Sequence, residues 1–94
     1  MAIFAVHYTY AEDRAAGRDE HRPAHRAWLN DLLAEGTVLT SGPYPDGSGA
    51  LILIAADDLP AARTLFAQDP FAQHGLIHET RIVEWKPTMG AFAE

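Results

Sequence analysis

Cysteine is absent from the 94 residues, which excludes a disulfide framework, a thiolate metal centre and a cysteine nucleophile. Basic charge is scarce as well. Seven Lys and Arg stand against thirteen Asp and Glu, giving a formal net charge of −6. That balance repels phosphate backbones and anionic lipid, so neither nucleic acid nor membrane is an expected partner. No apolar run approaches membrane-spanning length, and the first residues lack the basic segment and long apolar stretch of a secretory signal. A cytoplasmic location is therefore the default expectation. There is no phosphate loop, dinucleotide glycine signature or serine nucleophile elbow. What remains is a globular composition, 48% hydrophobic and 21% charged, which argues against disorder. The expectation is a single domain over residues 1–94, with a C-terminal tail at about 87–94. A chain of this length hides little more than half of its unfolded surface unless it associates.

The apolar pattern divides the chain into six elements. Residues 2 to 10 alternate, with Phe4, Val6, Tyr8 and Tyr10 on one face and Ile3, Ala5, His7 and Thr9 on the other, as in a strand. A polar stretch over residues 12 to 20 follows. A helix is expected to begin near residues 19 to 22, with Pro23 in its first turn, and to stop at Glu35-Gly36, where glycine takes a left-handed cap. Residues 38 to 41 read as a second strand, and residues 42 to 49 as a hairpin loop dense in turn formers. The unbroken apolar run at 50 to 56 reads as a central strand covered on both faces. Asp57 or Asp58 caps a second helix with Leu59, Ala62, Leu65 and Phe66 on its apolar side, ended by Asp69-Pro70. Residues 76 to 86 form a last strand whose irregular alternation leaves its buried face undefined.

The order β-α-β-β-α-β resolves most simply as an α+β, ferredoxin-like unit: a four-stranded antiparallel sheet with both helices on one face. The other face then carries Ile3, Ala5 and two of the residues 51 to 54, an apolar surface rarely left in water. A homodimer joined sheet to sheet is expected.

One residue breaks the pattern. Helical spacing places His25 in line with Trp28, Leu29, Leu32 and Leu33, so an imidazole points where an apolar side chain belongs. There it needs a hydrogen-bond partner, and its pKa near neutrality suits it to proton transfer.

The segment Arg22-x-x-His25-x-x-Trp28-Leu29, the stop at Gly36, the strand end Leu39-Thr40-Ser41-Gly42-Pro43, and Asp69-Pro70-Phe71 ahead of a strand ending in Trp85 together resemble the YCII-related family. The resemblance spans nearly the whole chain. It implies a dimeric α+β barrel of ferredoxin-like protomers and an active site built on a His and an Asp, which correspond to His25 and Asp69. It also implies small ring-compound chemistry such as dehydrohalogenation.

A carboxylate accepting from one imidazole nitrogen fixes the tautomer and leaves the other nitrogen as a base, so a His25/Asp69 pair is the leading catalytic candidate. The alternative is a satisfied core histidine beside a turn aspartate. Arg22, one turn before His25, is placed to hold a carboxylate or phenolate of a substrate, the alternative being a solvated surface arginine. Ser41 and Gly42 end a strand where a hydroxyl and backbone amides can bind an oxyanion, or they simply mark the passage from strand to turn. His7 lies on the sheet face expected to meet a second protomer; as a cavity-lining residue it is a further substrate-binding candidate, and the alternative is a partly solvated rim residue. His21 and His25 have the i, i+4 spacing of a metal pair, but Arg22 and Arg26 flank them with repulsive charge, so no metal is expected. The reading is a cofactor-independent enzyme that uses His25 and Asp69 for proton transfer in an elimination or isomerisation of a small cyclic compound, anionic if Arg22 binds it. Fold analogy offers a cofactor-free or haem-linked oxidative enzyme as one alternative. A non-catalytic small-molecule binding domain is the other.

Overall fold

Strands β1 (Ala2–Tyr10), β2 (Val38–Pro43), β3 (Gly49–Ala56) and β4 (Ile77–Trp85) form one antiparallel sheet in the order β2-β3-β1-β4. The coordinates are a computed structural model and describe residues 1–93. Between the strands run α1 (Ala15–Ala34), α2 (Leu59–Phe66) and the short α3 (Pro70–Gln73). This is the expected split βαβ arrangement, with the apolar run of residues 50–56 in one of the two central strands. Leu32 of α1 and Ala62 and Phe66 of α2 share one core with Phe4, Val6, Tyr8, Ile52 and Ile54, so both helices cover the same face of the sheet. Of the tail expected at 87–94, residue 94 lies outside the described residues, and residues 87–93 add no strand or helix.

The first helix begins earlier than residues 19 to 22. A single 3₁₀ turn, Glu12–Arg14, leads directly into α1, which has no side-chain cap at its start. Pro23 consequently lies inside the helix rather than in its first turn. It is tolerated because it sits on the exposed side, where water can satisfy the carbonyl one turn back that loses its N–H partner. Gly17 lets this early part of α1 press onto the chain before β4; a β-carbon there would fall 2.6 Å from Leu76 Cδ2. Gly36 ends the helix with φ at 83°, the left-handed cap expected of it.

Two other boundaries move. The second helix stops at Phe66 rather than at Asp69-Pro70, and residues 70–73 coil into α3 instead of forming a plain connection. In β4, the pairing with β1 shifts between Thr9 and Tyr10, so Ile77 faces Tyr10 while Ile82 faces Val6. That bulge changes the phase of the strand by one residue, which explains its irregular alternation.

Candidate active site

Asp69 begins α3. Its Oδ1 accepts from the backbone N–H of Phe71 at 3.0 Å, the usual service of an N-cap, and Pro70 occupies the first helical position, where no donor is needed. The same carboxylate is fully buried and turned towards α1. There, His25 Nδ1 lies 2.7 Å from Asp69 Oδ1. The structure therefore brings the two predicted residues together within one protomer, across α1 and α3.

The rest of the Asp69-Pro70-Phe71 motif fixes the imidazole plane. The Phe71 ring stacks on His25 with centroids 3.9 Å apart and an interplanar angle of 4°. A third donor reaches Asp69 from the sheet: the Tyr8 hydroxyl donates to Oδ2 at 2.5 Å. Burial, reinforced by the Asp69 charge, pushes the Tyr8 phenol far above the usual tyrosine range. It therefore remains a donor at any ordinary pH. Because a carboxylate oxygen accepts, the contact with Asp69 Oδ1 corresponds to the tautomer with the proton on Nδ1, which leaves Nε2 of His25 as the free ring nitrogen.

His25 is 8% exposed and lines a cleft of about 660 Å³ between α1 and the β2–β3 side of the sheet. Asp69 does not line this cleft and sits behind the imidazole. Arg22, Ser41 and Gly42 all border the cleft, as does Leu33 at the edge of the apolar stripe. Arg22 is engaged with Asp19 at 2.5 Å, so its guanidinium is already partnered.

His7 is not brought to this site. It projects from the opposite face of β1, among Ile3 and Ala5, and its Nδ1 lies 3.0 Å from the Tyr44 hydroxyl. His21 and His25 also part company: His21 stacks on His74 at 3.7 Å, while His25 binds Asp69. Among the described residues no group of three or more His, Asp or Glu could hold a metal ion.

Two residues at this site escape the sequence reading. Tyr8 occupies the core phase of β1, as expected, but a tyrosine at a fully buried position needs a partner for its hydroxyl, and that need was the available signal. Arg18 is buried beside the cleft; counting back from His25 in steps of three and four gives Arg22 and then Arg18.

A model of the YCII-related domain matches residues 2–86. The chain belongs to the YCII-related family. YjpA of Bacillus subtilis (strain 168) is 36% identical over 67 residues, covering 71% of this chain and 78% of YjpA. YciI of Escherichia coli O6:H1 (strain CFT073) is 28% identical, with 86% of this chain and 96% of YciI aligned. Among solved structures, 5-chloro-2-hydroxyhydroquinone dehydrochlorinase (TftG) of Burkholderia phenoliruptrix AC1100, in complex with 2,5-dihydroxybenzoquinone, superposes with a TM-score of 0.78. It is 22% identical, and the match covers 89% of this chain and 93% of that one. At that identity the likeness is one of fold. A YCII-related chain of this architecture thus carries the α+β sheet, the His–Asp contact and the adjoining cleft together.

Proposed function

We propose that this protein is a small-molecule enzyme in which His25 transfers protons and Asp69 orients it. The 2.7 Å contact between His25 Nδ1 and the buried Asp69 carboxylate, with His25 on the cleft, carries this reading. Nε2 takes a proton from a carbon or hydroxyl of the bound compound, and the released electron pair forms a double bond. In an elimination from a carbon–hydrogen bond that pair expels a leaving group such as chloride from the neighbouring carbon; from a hydroxyl it forms a carbonyl and expels the group through the conjugated ring, and either way the elements of an acid HX leave. In an isomerisation the imidazolium returns the proton at another atom. That the structural neighbour is a dehydrochlorinase of a chlorinated hydroxyhydroquinone supports the elimination form and a small cyclic substrate. Arg22, Ser41 and Gly42 are the proposed substrate contacts from the cleft wall.

The unit is proposed to work as a homodimer. Ile3, Leu51, Val83 and Trp85 lie on the sheet face away from the helices, as their pairing register requires, and Trp85 is 42% exposed. A second copy would cover this face.

Chloride release from 5-chloro-2-hydroxyhydroquinone, compared among the unaltered chain, His25→Asn and Asp69→Asn, tests the proposal. Each substitution is expected to lower the rate by about 10²- to 10⁴-fold while the protein stays folded by circular dichroism. Equal rates in all three, or no turnover by the unaltered chain of any chlorinated or unsaturated hydroxylated ring, would remove the catalytic reading.

A further inference from the structure

Arg18 is the most deeply buried cation of the chain, 6% exposed, on the wall of the cleft that holds His25. Removing a guanidinium from water is costly unless negative charge compensates it. Here the compensation is incomplete. One nitrogen, Nη1, donates to two neutral carbonyls, Ala11 O at 2.6 Å and Leu76 O at 3.2 Å, and the Tyr10 ring lies 4.5 Å from the guanidinium carbon. Among the described residues no carboxylate lies within salt-bridge distance of Arg18, whereas Arg22 has Asp19.

The surroundings point the same way. Among the described residues the cleft is bordered by Arg18, Arg22 and Arg26 and by a single carboxylate, Asp19, already paired with Arg22. A concave positive site on a chain of net charge −6 attracts small anions from solution and concentrates them at its floor. The fixed orientation of Arg18 matters too. Two carbonyls and an aromatic face hold the planar fork in place, so little side-chain freedom is lost when the remaining N–H groups meet a ligand.

We infer that Arg18 is the anion-binding residue of the cleft and that the substrate carries an oxyanion, a carboxylate or an ionised phenol, which seats on the Arg18 guanidinium while its reacting carbon or hydroxyl faces His25. This rests on the proposed role of the cleft as a substrate site. It reassigns the anion contact from the ion-paired Arg22 to the unpaired Arg18.

Two matched probe pairs test it by NMR titration of the intact protein, followed at the Arg18 Nε–H and His25 imidazole signals. The first pair is 2,5-dihydroxybenzoate and the neutral 2,5-dihydroxybenzamide. The second is 4-nitrophenol on either side of its ionisation. The charged member of at least one pair is expected to bind about tenfold or more tightly than its neutral counterpart and to shift the Arg18 signal; which pair does so identifies the oxyanion. Arg18→Gln, which retains a donor for the two carbonyls, should abolish that preference, Arg18→Lys should retain part of it, and Arg22→Gln should leave most of it. If Arg18→Gln does not fold, the unaltered chain still decides. Equal binding of charged and neutral probes, or an Arg18 signal unmoved at the highest soluble concentration of both anions, overturns the inference. His25→Asn separates the two readings: it should stop turnover yet keep the preference for the anion. Retained turnover with an intact preference would sink the His25 role and leave the Arg18 role standing.

Discussion

Asp69 binds three donors from three parts of the chain: the His25 imidazole, the Tyr8 hydroxyl and the Phe71 backbone N–H. Removing any one weakens the others' hold on the same buried charge. Tyr8→Phe keeps the ring against Phe66, 6.1 Å away in an edge-on contact, and deletes only the hydroxyl. Urea unfolding at neutral pH is expected to show a loss of about 2 kcal/mol, the range for hydrogen bonds to charged groups. The same substitution has a signature in alkali. In the unfolded chain Tyr8 ionises near its ordinary value of 10.0, whereas the folded chain keeps the proton. Above that pH the unfolded state therefore binds fewer protons, and stability falls as pH rises, by at most about 1.4 kcal/mol per pH unit from this one group. Below it, the contribution is fully present. Tyr10 is raised by burial in the same direction, so Tyr8→Phe should lessen the slope between about pH 9 and 11 without abolishing it. Identical slopes in the two proteins would show that Tyr8 does not hold its proton against Asp69.

Individual elements owe their limits to local chemistry that was partly readable beforehand. Asp58 caps α2 by accepting from Ala61 N at 2.8 Å, and Pro60 follows in the first turn. Replacing Asp58 by Ala is expected to cost about 1 kcal/mol in thermal unfolding, with the site unaffected because α2 contributes none of its residues. Gly36→Ala should cost about 1 kcal/mol as well, since alanine resists the positive φ at the end of α1. Both residues declare themselves in sequence: a carboxylate before a helix-compatible proline, and a glycine after an apolar stripe. The start of α1 does not, because an uncapped helix flows out of a 3₁₀ turn within a polar stretch. The helical identity of residues 70–73 is hidden for a related reason. One turn of helix has no periodicity to detect, and Asp69 serves equally well as the end of one helix and the cap of the next.

At the scale of the molecule, the sheet leaves one face without helices, and a second copy is the proposed cover. Sedimentation should give twice the chain mass of 10.3 kDa. Leu51→Glu, a charge placed on that face opposite His7, should yield a folded monomer; a monomer in the unaltered chain would dismiss the dimer. By itself, the sequence determined the order of the four strands and the two longer helices, the shared helical face and the presence of a misplaced imidazole at residue 25, but not the short α3. These follow from periodicity and from glycine and proline chemistry, which act over a few residues. Only the tertiary structure decided what His25 meets. The contact spans 44 residues of chain and depends on where α3 sets Asp69 against α1, on a tyrosine hydroxyl reaching in from β1, and on Phe71 stacking over the ring. It also decided that Arg18, which lies in a polar stretch of the sequence, is buried at the cleft while Arg22 is ion-paired with Asp19. Hydrogen bonds and charge pairs between distant segments are set by packing; local periodicity carries no record of them, and the His25–Asp69 pairing is expected from the sequence only through the family resemblance.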